Sequence, residues 1–139
     1  EVYFEAVENI LKQNKQVLIM IPEISLTQQF EERFKARFGF MPDIWHSKIS
    51  EKKKKTIWHR CYKGQSTVII GARSSLFLPF KNLGLIVVDE EHDLSFKQEE
   101  NIRYHARDLA IVKANIEKIP ILLSSATPSV ETYHNIFDK

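Results

Sequence analysis

Apolar residues at Val2, Phe4, Ala6, Val7, Ile10 and Leu11 recur at helical spacing. They predict a helix with one broad apolar face, closed by Gln13-Asn14-Lys15. Gln16 to Ile21 (QVLIMI) is a continuous apolar run of the kind a buried parallel strand carries, and Pro22 ends it. Ser25 stands three residues before Gln28, a capping-box spacing. Leu26, Phe30, Phe34 and Phe38 follow at intervals of four along a helix, with Gly39 as its stop. Ile44-Trp45-His46 is a short strand candidate. Ser50 is placed to cap a helix to about Tyr62, ended by Gly64. Thr67 to Ile70 and Leu85 to Val88 are further strands. A polar stretch with scattered aromatics follows, then a helix from Tyr104 to about Ile116 and a fifth strand from Ile119 to Leu123. Thr127-Pro128 reads as a cap with proline in the first turn of a last helix, to about Phe137.

Helices alternate with short apolar strands throughout, which predicts an α/β domain with a mostly parallel sheet flanked by helices. Ligands on such sheets bind at the carboxyl ends of the strands. The positions just after the predicted strands are therefore the informative ones: Pro22-Glu23, Gly71-Ala72-Arg73, Asp89-Glu90 and Ser124-Ser125-Ala126-Thr127. No internal repeat, low-complexity tract or second domain interrupts the pattern.

Composition changes this picture little. The 139 residues are 43% hydrophobic, enough for one domain with a real core. Lys and Arg number 20 against 18 Asp and Glu, so bulk charge does not point to a nucleic-acid partner and only local placement can. The single cysteine, Cys61, excludes an intrachain disulfide and a Cys-rich zinc site, and reads as a buried small apolar residue. No apolar stretch approaches the roughly 18 residues of a membrane span, and no signal peptide opens the chain. The expectation is a soluble, cytoplasmic protein with no membrane partner.

The chemistry gathers at Asp89-Glu90-Glu91-His92. A hydrolytic phosphate site needs one carboxylate to hold magnesium, usually through water, and another to orient or deprotonate the attacking water. Asp89 is the candidate for the metal and Glu90 for the water, with His92 coupling the site to a neighbouring element. The plainer reading, acidic residues capping the next turn, stays open on these residues alone. One strand later, the hydroxyls of Ser125 and Thr127 are suited to reach a neighbouring strand's carboxylate or histidine. By themselves they read equally as a helix cap.

Arg73 follows a strand on the ligand side, and Ser74 and Ser75 add hydroxyls suited to phosphates. Lys97, Arg103 and Arg107 alternate with Phe96 and Tyr104, cations for phosphate and rings for bases. The rings read as core anchors on the other view. Lys52 to Lys55 is read as the solvated face of a helix, because the run covers all faces. Trp45, Trp58 and the phenylalanine stripe read as core. His46, His59, His105 and His134 read as packed or solvated, without metal-ligand spacing.

Longer segments carry a resemblance. Ile21 to Gln28 (IPEISLTQ), Gly71 to Phe77 (GARSSLF), Pro79 to Gly84 (PFKNLG), Asp89 to Asp93 (DEEHD), Phe96-Lys97-Gln98 and Arg103 to Asp108 (RYHARD) together resemble the PriA family. These are superfamily-2 DEXH DNA helicases of bacterial replication restart, also called primosomal protein N′. The resemblance covers essentially the whole chain, in order.

It implies a RecA-like motor lobe lacking its P-loop strand, with residues 1–139 a partial first lobe that begins just after the P-loop. It also implies a 3′-to-5′ helicase that uses ATP and magnesium at forks, D-loops and single strands. Primosome proteins and single-strand-binding protein would be its partners. Thr27 and Gln28 fall in a motif Ia-like segment and Arg73 and Ser74 in a motif Ib-like one, both on the DNA path. Asp89 to His92 matches motif II, and Ser125-Ala126-Thr127 matches motif III. Phe96 to Tyr104, including Lys97 and Arg103, matches an aromatic-rich loop that couples DNA contact to hydrolysis. The family commonly has an aromatic where this chain has Ile102, and glycine where it has Asn101 and Ser124.

No G-x-x-x-x-G-K-[ST] occurs in the sequence, so the backbone cradle for phosphates and its lysine are lacking. The second motor lobe and the family's zinc region have no counterpart either. The isolated chain is therefore expected to be inactive. The competing readings are a non-catalytic DNA- or protein-interaction module on a motor-lobe scaffold and a generic phosphate hydrolase.

Overall fold

A computed structural model describes residues 3–21, 28–46, 48–90 and 97–125, with the backbone alone at 90, 97–106 and 125. The continuous apolar run becomes strand β1 (Gln16–Met20), buried at every position. Its place explains its composition. β1 is the middle strand of a five-stranded parallel sheet of order β2-β3-β1-β4-β5, where the others are β2 (Asp43–Trp45), β3 (Val68–Gly71), β4 (Leu83–Glu90) and β5 (Ile121–Ser125). A central strand has no wet face, so every side chain must be apolar or fully bonded.

Strand alternation divides the core in two. Val17, Ile19, Ile70, Leu85 and Val87 face one side, under α1 (Phe4–Lys12) and α2 (Gln28–Phe38). Leu18, Met20, Ile69, Ile86 and Val88 face the other, under α3 (Glu51–Tyr62) and α4 (Lys97–Glu117). On the first side Phe4 meets the rings of Phe30, Phe34 and Phe38 edge-on, at centroid distances of 6.1, 5.8 and 5.1 Å. The phenylalanines of the predicted stripe, Phe30, Phe34 and Phe38, are thus the seam between α1 and α2, and Leu26 lies outside the described residues. A three-residue turn with Asn14 in the left-handed region (φ 61°) reverses the chain from α1 into β1. Gly84 allows that turn to sit close, since a Cβ there would lie 2.7 Å from Lys15 Cβ and 2.9 Å from Ile10 Cγ2. As α1 runs against the strands, its first residue lies at the carboxyl edge of the sheet.

The predicted caps of α3 hold. Ser50 Oγ accepts from Lys53 N at 3.1 Å, and Gly64 after the helix has φ 76°. Three expectations change. Trp58 is not core: it is 43% exposed. It lies about 100° round the helix from the buried Ile57–Cys61 stripe and stacks instead on Tyr62, 5.8 Å away. Trp45, as expected, packs against the core, half-buried, with its indole N–H donating to Ser74. The largest change is in α4, which begins at Lys97, seven residues before the predicted start at Tyr104. No glycine or proline falls between 97 and 117, and Glu99 and Glu100 occupy the first turn, where the helix dipole favours acid. Lys118, at φ 57°, marks its end, and β5 both starts and ends two residues later than predicted, at Ile121 and Ser125. The cap at Ser25 and the last helix, from Thr127, lie outside the described residues.

At the amino edge of the sheet, buried Gln16 binds the end of α3, the segment that follows it and the segment before β4. Its Nε2 donates to Cys61 O at 3.2 Å and Ser66 O at 2.9 Å, and its Oε1 accepts from Asn82 N at 2.8 Å. Among the described residues no helix is long and apolar enough to cross a membrane.

Candidate nucleotide site and nucleic-acid interface

β4 leaves the core at Val88, and its next residue, Asp89, is 8% exposed. Period-two alternation turns Asp89 to the same face as Leu85 and Val87, the face that α1 covers. There the phenol of Tyr3, itself 1% exposed, donates to Asp89 Oδ2 at 2.9 Å. The bond spans 86 residues of sequence. Tyr3 is the residue that sequence reasoning missed. The available signal was its position: a polar-tipped aromatic at the start of a helix running against the strands stands at the carboxyl edge.

β5 supplies the neighbouring wall. Asp89 pairs in register with Ser124, and Glu90 with Ser125. Strands lie about 4.8 Å apart, so the backbones of Asp89 and Glu90 run beside those of Ser124 and Ser125. Glu90 and Ser125 are placed by their backbones. His92, Thr127, Phe96 and Thr27 lie outside the described residues.

A second cluster forms at the end of β3. Gly71 packs so tightly that a Cβ would lie 2.8 Å from Trp45 O and 2.8 Å from Ser75 Cβ. The chain turns there into a short 3-10 helix, Arg73–Phe77. Arg73 and Ser74 are exposed on it, and Ser74 Oγ accepts from Trp45 Nε1 at 3.0 Å. Ser75 differs from expectation. It is fully buried and its hydroxyl donates to Ala72 O, so it closes the turn and cannot meet a phosphate. Ile21 N donates to Gly71 O at 3.2 Å, tying the end of β1 to this turn. Gln28, exposed at the start of α2, donates to Glu32 Oε1 at 3.4 Å.

Lys97 and Arg103 were expected in a loop ending at Tyr104, where the helix was predicted to start. Their backbones lie in α4, so a loop between Phe96 and Tyr104 is replaced by a helix from Lys97 onward. The physical reason is the unbroken run of helix-compatible residues noted above. Lys52, Lys53 and Lys55 are exposed on α3, matching a solvated face. Burial pushes the Cys61 thiol up to about 12, so it is inert as a nucleophile.

Among the described residues no group of three or more His, Cys, Asp or Glu could hold a metal ion. Magnesium does not require such a group. It keeps several waters and binds through one or two carboxylates plus substrate phosphates. Asp89, a hard oxygen donor at the mouth of a buried strand, fits that mode.

The fold is a parallel α/β lobe with acidic and hydroxyl residues on neighbouring strand ends. The model of the DEAD/DEAH box helicase family matches residues 2–136, and the chain belongs to that family. More particularly, it is 55% identical over 136 residues to the replication restart protein PriA of Rickettsia conorii, covering 98% of this chain and 21% of that protein. It is 50% identical to the PriA of Haemophilus influenzae, over 98% of this chain and 19% of that protein. For the PriA of Bacillus subtilis the figures are 44%, 96% and 16%. The chain thus spans about a fifth of the length of the curated relatives it matches. Among solved structures, the C-terminal part of the Fun30 ATPase domain superposes with a TM-score of 0.54 at 14% identity, covering 95% of this chain and 44% of that one. The Pyrococcus furiosus Hef helicase domain gives 0.50 at 16%, over 96% and 26%. At such identities these two matches speak to the fold alone.

Proposed function

We propose that this chain is the first motor lobe of an ATP-dependent, 3′-to-5′ DNA helicase that restarts bacterial replication in the cytoplasm. The observation that carries the reading is the register of β4 against β5, which sets Asp89 beside Ser124 and Glu90 beside Ser125 at the carboxyl edge. The identity to replication restart proteins over nearly the whole chain supports the choice of substrate.

In this mechanism Asp89 would hold magnesium, and Glu90 would orient and deprotonate the water that attacks the terminal phosphate. The chemistry such an ion would supply there is neutralisation of charge on the phosphate oxygens. Ser125, Thr127 and His92 carry the state of the acidic pair to the neighbouring strand. Arg73 and Ser74, with Thr27 and Gln28, take the DNA backbone. Phe96, Lys97, Arg103 and Tyr104 couple DNA contact to hydrolysis. Forks, D-loops and single strands are the DNA partners, and primosome proteins and single-strand-binding protein the protein partners. The sequence has no phosphate-cradling glycine loop. That cradle must come from elsewhere in the complete protein, and the isolated chain should turn over no ATP. The same lack favours a second reading, a non-catalytic interaction module on this scaffold.

The two readings separate in the complete protein. Glu90→Gln should lower DNA-stimulated ATP hydrolysis by about 100-fold or more, the usual contribution of a positioned general base. DNA binding measured by fluorescence anisotropy should stay intact. A rate within twofold of wild type would favour the interaction module.

A further inference from the structure

Tyr3 is tied to both the packing and the chemistry of this lobe. Its ring belongs to the core under α1 and stands edge-on to Phe4, with centroids 5.4 Å apart and an interplanar angle of 84°. Packing on that scale leaves the phenol oxygen little freedom. The oxygen is aimed at Asp89 Oδ2, 2.9 Å away. A hydrogen bond to an ionised carboxylate is short and strong, and fixes the plane of the acceptor. A phenol also differs from a lysine or arginine in the same place: it orients the carboxylate without adding a positive charge that competes with a cation. The bond joins the amino end of α1 to the carboxyl end of β4, beside the carboxylate that the proposed function assigns to magnesium.

We propose that Tyr3 is a positioning residue, which holds the Asp89 carboxylate in the orientation a hydrated divalent cation needs. The inference rests on the reading of Asp89 as the magnesium-holding residue. Tyr3 touches neither metal nor nucleotide in this role and acts through Asp89. Groups one bond removed from metal ligands typically change metal affinity by about 10- to 100-fold when lost. For a cation held through water the low end applies.

The test is Mn2+ binding, read by electron paramagnetic resonance, to the complete protein with a non-hydrolysable ATP analogue. Tyr3→Phe removes one oxygen and keeps the ring. It should weaken Mn2+ binding by about 10-fold, leave analogue binding in EDTA unchanged, and add nothing in an Asp89→Asn background. Phe4→Leu loosens the same core without touching the carboxylate. It should lower the melting temperature and leave Mn2+ affinity alone. Wild-type Mn2+ affinity in Tyr3→Phe, with Asp89→Asn impaired, overturns the positioning role and leaves Asp89 as the metal holder. Unchanged affinity in Asp89→Asn overturns both. Equal Mn2+ losses in Tyr3→Phe and Phe4→Leu, at matched loss of melting temperature, would reduce Tyr3 to packing.

Discussion

The two edges of this sheet handle buried polar groups in opposite ways. At the amino edge, Gln16 turns both ends of its amide onto backbone groups, two carbonyls around the end of α3 and one N–H before β4. Asp43 nearby accepts from the Arg60 guanidinium and the Ser66 hydroxyl. These groups tie loops together, and a neutral amide spent on backbone partners has little left for a ligand. At the carboxyl edge the buried group is a carboxylate, Asp89, with a side-chain donor from a distant helix. A buried charge is far more costly to maintain than a buried amide. Asp89 at one edge, with backbone-bound Gln16 at the other, separates the end proposed for chemistry from the end that holds the strands.

Substitutions at the two edges should therefore fail differently. The largest effect belongs to Glu90→Gln, about 100-fold or more on hydrolysis, with the protection of β1 and β4 amides in hydrogen exchange unchanged. Gln16→Leu should do the reverse. It leaves two carbonyls and one N–H without this partner in a dry setting, at about 1–3 kcal/mol for each group that stays unsatisfied. In the complete protein, exchange of the β1, β3 and β4 amides should speed up by at least tenfold, with kcat for ATP nearly unchanged. Matching losses of kcat and of protection in both variants would erase the distinction between the edges.

What the amino-acid pattern discloses follows the same division. The strands were legible because a buried parallel strand must be almost wholly apolar, as at Val17 to Ile21. Helix ends were legible where a local device sets them, as at Ser50, Gly39 and Gly64. The acidic and hydroxyl segments were legible as strand-end chemistry, but their register, Asp89 on Ser124, is a product of sheet pairing. Contacts across long sequence separations left no local trace. The bond from Tyr3 to Asp89 and the backbone bridges of Gln16 have no periodicity, and Gln16 was hidden as the first residue of an apolar run. Trp58 misleads for a different reason. Large aromatics are usually core, yet one position round a helix from Ile57 is enough to leave the ring on the surface, where Tyr62 stacks on it.

Smaller effects sharpen the comparison within the carboxyl edge itself. Gly71→Ala would push a methyl group against the Trp45 carbonyl oxygen, a backbone atom that cannot swing away. Overpacking of this kind costs about 1–3 kcal/mol, and the strain falls on the turn that presents Arg73. Both local amide protection at β3 and DNA affinity should drop. Gly84→Ala should also strain its turn, at the amino edge, without weakening DNA binding.

Arg73→Ala should have the smallest effect and the most specific one. Arg73 is exposed on the 3-10 helix, so its loss should leave the fold unchanged, within about 0.5 kcal/mol. If its guanidinium meets one phosphate of a single strand, the slope of log affinity against log salt should become shallower by about 0.7. The loss should be the same for every base sequence tested, because a phosphate contact positions the strand without reading it. Titrations of the complete protein with labelled oligonucleotides across a salt series measure both. An unchanged slope would remove Arg73 from the DNA path and confine the chemistry of this edge to the nucleotide side, around Asp89.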